Sequence, residues 1–390
     1  MTKEHSRVLV PVSHPLGGIR TYMLYNFRQL YLEGFRFTFL SEAGDAFDSF
    51  KNDLSGWGET DFIEFPKSSG IITIMKTIHK TLKNRSFSLI HSQGLKIGTE
   101  TAAVNFFKHI PHLITLHDVI VPHNQIPGKF KRCKKAAISF FARRAAVIIP
   151  VSKDCETNHL QIFPAWKRGS VKVETIFNGV DVERLNSSRI NCERGGGSSL
   201  REEFGIDSNI VLGGFFGRFM YQKGFDLLLD ALMLLDQRGY GDRFRMVVTK
   251  DLNGFFNETI QSTLSNPKVA RMVHFIDSLS DIVPLLLQVD VTVIPSRWEA
   301  CPILPMESLV LGVPVIGSDC IGLREVLRGT PSIVHRSDDA ESLAAVLIDF
   351  IERPTKNAAA DYVADAVKRF DVRKATDQLL KIYQSFCVVH

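Results

Sequence analysis

The chain has 390 residues, 45% of them apolar and 23% charged; that length suits two cores at ~100–200 residues per domain, and the composition excludes a disordered, collagen-like or disulfide-scaffold protein. Charge is uneven: residues 1–186 hold 25 Lys+Arg and 16 Asp+Glu, a net of +9, and the remainder holds 22 and 26, a net of −4. The basic front half suits a polyanionic partner: nucleic acid, an anionic membrane or a phosphorylated substrate.

The start, MTKEHSRVLVPVS, enters a strand directly and carries no signal-peptide pattern. No apolar run approaches the ~20 residues of a membrane-spanning helix. The six cysteines, at 133, 155, 192, 301, 320 and 387, form no CxxC pair. They read as reduced thiols of a cytosolic protein, with no zinc or redox site expected.

Arg7–Val12 reads as a strand, His14–Gly18 as a loop, and Thr21–Leu32 as a helix by the spacing of Leu24, Phe27 and Leu30. Gly34 stands where a helix stop belongs, and Arg36–Leu40 is the next strand. The alternation continues with helix 71–83, strand 88–91, helix 98–108, strand 112–115, a basic helix over about 130–145 and strand 147–151. Asn186–Ser199, NSSRINCERGGGSS, is polar and glycine-rich and reads as an interdomain linker. After it come strand 209–213, helix 224–235, strands at 245–249, 273–275, 291–294 and 314–317, and helices over 282–287, from 307, 323–327, 340–352 and 373–386. Strand–helix alternation on this scale predicts two doubly wound α/β domains with parallel sheets. Ligands of such sheets bind at the carboxyl ends of the strands, so the default site is a cleft between the two domains.

Four motifs sit at those strand ends. Glu299 and Glu307 have seven residues between them, the first in the loop after strand 291–294 and the second in the opening turn of a helix. A helix start suits a phosphate, and a carboxylate there accepts hydrogen bonds from vicinal hydroxyls. The plain alternative is a favourable helix-start charge beside a surface carboxylate. Arg218 and Lys223 lie in the loop feeding helix 224–235, where two cations can clamp a diphosphate or simply be solvated. Gly17-Gly18 follows the first strand, a close-approach loop or a plain turn, and it is not a GxGxxG dinucleotide fingerprint. His117 follows strand 112–115, where an imidazole can meet a sugar hydroxyl, or be one of 12 structural histidines. The chain holds no DxD, so no diphosphate-clamping metal is expected, and no GxSxG.

Taken together, these segments resemble the retaining GT-B glycosyltransferases of family 4 (glycosyltransferase group 1). The glutamate pair with GVPVIGSDCIGLREVL resembles the E-x7-E signature, and GRFMYQKGFDLLLDAL the phosphate loop. IFNGVDVERL resembles the segment before the hinge, and TLHDV, Pro150–Ser152 and Gly17-Gly18 also match in order, from Val8 to about Phe386. The resemblance implies two Rossmann-like domains facing across a cleft: an acceptor-side domain over 1–186, with 372–390 packing back onto it, and a nucleotide-sugar domain over 187–371. It implies that Arg218 and Lys223 hold the donor diphosphate, Glu307 the ribose, and Glu299 the sugar. It further implies that His117 reaches the sugar and that Gly17 and Gly18 line the reaction centre. The donor would be UDP- or GDP-linked, with no cofactor and no essential metal, and transfer would retain configuration by front-face attack. One departure is Ala300-Cys301-Pro302 where the family often has Gly-Phe-Gly. Pro302 lacks an N–H, which leaves Ile303 and Leu304 as backbone donors.

Lys129–Arg144, KFKRCKKAAISFFARR, has seven basic residues (Lys129, Lys131, Arg132, Lys134, Lys135, Arg143 and Arg144) and no acidic one. It can lie on anionic lipid at ~1 kcal/mol per basic residue, or be a helix with a solvated cationic side. A glycan or lipid-linked acceptor of surface polysaccharide or lipopolysaccharide assembly fits the first reading, with the enzyme cytoplasmic and peripheral on the inner face of the plasma membrane. No nucleic-acid reader motif is present, so nucleic acid is not an expected partner. The competing functions are a GT-B phosphorylase or epimerase, and a non-catalytic glycan- or lipid-binding scaffold.

Overall fold

The computed structural model describes residues 6–122, 131–169, 171–195, 199–250, 258–277, 279 and 281–387. Its contacts divide the chain into two units: the described residues up to Gly179 together with those from Val372 on, and Val180–Asp371.

Unit 1 holds seven strands: β1 (Arg7–Pro11), β2 (Arg36–Glu42), β3 (Asp61–Phe65), β4 (Leu89–Gln93), β5 (His112–Leu116), β6 (Val147–Pro150) and β7 (Lys172–Val173). They form one parallel sheet in the order β3-β2-β1-β4-β5-β6-β7. β4, β5 and β6 are buried at every position, as strands covered on both faces must be. The two-residue period of β2 sorts its side chains. Phe37 and Phe39 meet Phe27 of helix Gly17–Leu32, at ring distances of 5.1 and 6.1 Å. Leu40 points the other way, into a cluster with Leu9, Ile90 and the Ile74, Ile78 and Leu82 stripe of helix Ile71–Asn84. The C-terminal helix Arg373–Phe386 packs on helix Gly17–Leu32, with Tyr383 edge-on to Phe35 at 5.0 Å.

Unit 2 holds β8 (Val211–Phe215), β9 (Phe244–Thr249), β10 (Val273–Ile276), β11 (Val291–Ile294), β12 (Val315–Ser318) and β13 (Ile333–His335). They form a parallel sheet in the order β10-β9-β8-β11-β12-β13. Helices Phe225–Gln237 and Ala340–Glu352 share one core cluster, Leu228 and Leu232 of the first with Leu343 and Leu347 of the second. In both sheets the strand order reverses once, between β1 and β4 and between β8 and β11. Such a switch point leaves a crevice at the carboxyl ends of its two strands.

Two expectations are corrected. The stretch read as a linker is helical as far as Gly195, in helix Val182–Gly195. Its polar residues are the outer face of a helix that buries Val182 and Leu185. The helix expected over 98–108 runs Leu95–Val104 and tightens into a 3₁₀ turn at Asn105–Phe107.

Candidate active site

In unit 2 the loops after β8 and β11 flank the switch point, and two side chains join them. Lys223 Nζ donates to Glu299 Oε1 at 2.6 Å. Glu299 is 6% exposed, and Ser296 Oγ donates to the same oxygen at 2.9 Å. Its Oε2 engages no other described residue. The ammonium has three N–H donors and spends one here.

Backbone geometry makes this approach feasible. Gly224, at φ +69°, ends the 3₁₀ turn Tyr221–Lys223, and a Cβ there would fall 2.1 Å from the carbonyl oxygen of Pro295. Gly322, at φ +80°, is placed likewise, 2.1 Å from the carbonyl oxygen of Glu299. Only glycine admits both the left-handed backbone and the contact. Arg297, with a side chain 9% exposed, then ties the loops together. It forks onto Asp226 at 2.8 and 2.9 Å, donates to Asp338 at 2.6 Å and to the Tyr221 carbonyl at 2.7 Å, and lies 3.9 Å above the Tyr221 ring.

Arg218 is exposed in the loop after β8 and makes no ion pair or hydrogen bond with a described residue. Glu307 is 7% exposed in the first turn of helix Leu304–Val310, whose opening N–H groups include those of Ile303 and Leu304. Burial, reinforced by the Glu299 charge, pushes the Cys320 thiol up to about 12, so it stays protonated. The structure therefore joins Lys223 to Glu299, a pairing that sequence reasoning did not foresee, and leaves Arg218 open.

In unit 1, helix Gly17–Leu32 begins at Gly17 itself rather than at Thr21. Gly17 and Gly18 are exposed at its first turn, with no side-chain cap and no acidic residue there. Gly17 has φ +53°. Those N–H groups suit an anionic or hydroxyl ligand. His117 follows β5 and is half-buried, its ring edge-on to Tyr22 at 4.7 Å. Its Nε2 lies 2.8 Å from Gln93 Oε1, while Gln93 Nε2 donates to the His91 carbonyl at 3.3 Å. Burial pushes the His117 imidazole down to about 3, so the ring is neutral at physiological pH. Behind it, His91 spans Tyr383 Oη at 2.8 Å and Thr115 Oγ1 at 2.7 Å. Gln93 and Arg297 carry no motif signal. Gln93 ends a strand, and Arg297 stands two residues ahead of the first glutamate of the pair.

The basic segment forms helix Lys131–Ala142, which packs against helix Leu95–Val104. Lys131, Arg132, Lys134 and Arg144 are exposed, Lys135 and Arg143 half-buried, and Lys129 lies outside the described residues. Among the described residues no helix is long and apolar enough to cross a membrane, and no three His, Cys, Asp or Glu side chains gather as metal ligands.

Two family models match the chain: Glycosyltransferase Family 4 over residues 16–184, and Glycosyl transferases group 1 over residues 211–353. The lipopolysaccharide core biosynthesis mannosyltransferase LpsB of Rhizobium meliloti is 25% identical over 219 residues, 54% of this chain. That match spans 60% of LpsB, less than two thirds of its length. The putative teichuronic acid biosynthesis glycosyltransferase TuaC of Bacillus subtilis is 25% identical over 80% of this chain and 75% of its own. Among solved structures, HepE of Anabaena in complex with UDP and glucose superposes with a TM-score of 0.77. The identity is 20%, over 98% of this chain and 100% of that one.

Proposed function

The chain belongs to the GT-B glycosyltransferases of group 1, family 4, and from that membership we propose that it moves a hexose from a nucleotide-diphosphate sugar to a glycan or lipid-linked acceptor of a cell-surface polysaccharide, with retention of configuration. The observation that carries the reading is the Lys223–Glu299 pair at the β8/β11 switch point, with Arg218 uncommitted on the same loop. Arg218 and the two remaining Lys223 N–H groups take the donor diphosphate. Glu299 Oε2 accepts from a sugar hydroxyl, and Glu307 from the ribose hydroxyls. The Ile303 and Leu304 N–H groups add backbone donors.

The chemistry follows from where charge develops. As the glycosidic bond breaks, negative charge grows on the departing diphosphate, and fixed cations stabilise it there. The acceptor hydroxyl attacks from the same face and passes its proton to a leaving phosphate oxygen, so the reaction needs neither a protein nucleophile nor a metal. His117 accepts from a sugar hydroxyl, and the Gly17 and Gly18 N–H groups line the reacting centre. Losing one such contact costs ~2.7–4 kcal/mol of barrier. The likeness to LpsB, of lipopolysaccharide core biosynthesis, and to TuaC, of teichuronic acid biosynthesis, supports a polysaccharide acceptor, and the UDP and glucose bound by HepE support a UDP-linked donor. The basic helix, through Lys131, Arg132, Lys134, Lys135, Arg143 and Arg144, fits an enzyme working at the cytoplasmic face of an anionic membrane.

Thermal shift of the purified chain against UDP, GDP, ADP and CMP tests the donor. A ligand at 100 times its dissociation constant adds roughly 2.7 kcal/mol of stability. A shift with one nucleotide that is lost in Glu307→Ala supports the reading, and no shift with any at millimolar concentration overturns it. NMR of the anomeric proton of the product tests retention, and an inverted centre overturns it.

A further inference from the structure

The amino-terminal end of β5 in the unit 1 sheet carries a recess that the proposed transfer does not use. Its volume is about 340 Å³, and its lining includes Asn105, Phe106, His112, Arg144 and Phe386. Volumes of ~300–1,000 Å³ are those of ligand pockets. His112 is the first residue of β5 and His117 follows its last. At ~3.3 Å per residue they stand ~16 Å apart along the strand. The recess is thus separate from the carboxyl-end site.

Three observations specify what it takes. First, no residue lining the recess is acidic, and Arg144 gives it a positive charge, which suits an anionic ligand. Second, the Arg144 guanidinium lies 4.3 Å above the Phe106 ring and 5.2 Å above that of Phe140, and pairs with no carboxylate among the described residues. Ring faces hold the planar fork in place and leave its N–H groups for a phosphate. Third, the surroundings are aromatic and exposed: Phe107 at 85%, Phe140 at 42% and Phe386 at 37%. Phe106 links the first two, with ring distances of 4.9 Å to Phe107 and 6.4 Å to Phe140. Exposed apolar clusters beside a cation mark a surface for an amphiphile.

We infer that this recess binds a phosphate-bearing amphiphile, its phosphate on Arg144 and its hydrocarbon along Phe107, Phe140 and Phe386. A bilayer phospholipid and a soluble phosphorylated metabolite share the head-group chemistry. The aromatic rim assigns the lipid. The inference shares Arg144 with the membrane contact proposed above and uses none of the donor residues.

The test is isothermal titration of the full chain with dihexanoyl phosphatidate as a monomer, and separately with inorganic phosphate, in wild type, Arg144→Gln and Phe107→Ser. Phe107 is so exposed that its variant keeps the fold. Saturable phosphatidate binding, weakened about tenfold or more by Arg144→Gln and measurably by Phe107→Ser, supports the inference. Inorganic phosphate binding as tightly as phosphatidate, lost in Arg144→Gln but unchanged in Phe107→Ser, overturns the lipid as source. No saturable binding at millimolar phosphatidate, or equal binding in all three proteins, overturns the site. UDP binding by the wild-type chain, read in the same preparation, separates failure of this inference from failure of the donor reading.

Discussion

Gln93 sets the tautomer of His117. The His91 carbonyl, 3.3 Å from Gln93 Nε2, orients the amide so that its oxygen faces His117 Nε2 at 2.8 Å. An oxygen acceptor there requires Nε2–H, and a neutral ring so protonated presents Nδ1 as an acceptor alone. The imidazole can then receive a hydrogen bond from a sugar hydroxyl but cannot donate one from that atom.

Gln93→Met removes both bonds at similar volume and frees the ring to change tautomer. We expect kcat/KM for the donor to fall about tenfold, the worth of a hydrogen bond of ~1.4 kcal/mol. If Gln93 acts through His117, the double variant Gln93→Met/His117→Ala loses no more than His117→Ala. Additive losses in kcat/KM would make Gln93 a merely structural residue.

The buried histidines of unit 1 make its stability depend on pH. Burial pushes His112 down to about 3 and His159 to about 4, and holds His91 well below its ordinary range. In the unfolded chain each titrates near ~6.5. Between the two values the unfolded state binds more protons, so stability is intact above ~6.5 and falls as pH drops. Each such histidine should cost about 1 kcal/mol between pH 7 and 5.5. Urea unfolding followed by Trp57 and Trp166 fluorescence measures it, with Trp298 mutated to Phe to silence unit 2. His159→Phe should flatten the slope by one histidine's share, and an unchanged slope would show that His159 is not the titrating group.

Both sheets were legible in the sequence because their central strands are mostly apolar runs, such as VIIP in β6 and VTVI in β11. The strands that escaped, β3, β7 and β13, all lie at sheet edges. An edge strand pairs on one side only and needs a weaker pattern. In β3, Asp61-Phe-Ile-Glu-Phe, two acids interrupt the apolar residues, and β7 is two residues long. Residues 186–199 were read as a linker because they are polar and end in glycines, and the only buried residues of helix Val182–Gly195, Val182 and Leu185, stand just ahead of them.

The candidate site was legible where chemistry announces itself, in the glutamate spacing and the cations near a strand end. It was not legible where a residue acts by holding another. Nothing local marks Arg297 as the partner of Asp226, 71 positions away, or Gln93 as that of His117. Those pairings exist only once strand order brings distant segments together, the ends of β4 and β5 in unit 1 and the segments after β8 and β11 in unit 2.

Arg297→Met should loosen both donor-site loops at once. It strips the forked pair from Asp226 and the bonds to Asp338 and the Tyr221 carbonyl, at a cost of about 3 kcal/mol to unit 2. Lys223 and Glu299 sit on the loops so released, and nucleotide affinity should fall with stability. Arg297→Lys keeps the charge without the fork and should recover only part of either loss. Full recovery in both measurements would mean that charge alone, not the bidentate geometry, holds the loops.

Gly224→Ala separates loop position from overall stability. Gly224 and Gly239 both have left-handed backbones, at φ +69° and +82°, so alanine strains either by about 1 kcal/mol. At Gly239 the new Cβ meets nothing within 4 Å, whereas at Gly224 it falls 2.1 Å from the Pro295 carbonyl oxygen. The second contact cannot stand, so the turn bearing Lys223 must move away from the loop bearing Glu299 and lengthen their 2.6 Å bond. We expect Gly239→Ala to lower the melting temperature with nucleotide affinity unchanged, and Gly224→Ala to weaken nucleotide binding at least tenfold by titration calorimetry. Equal affinities in the two variants would mean that the donor does not depend on the Lys223–Glu299 approach, and that the site lies elsewhere on the sheet.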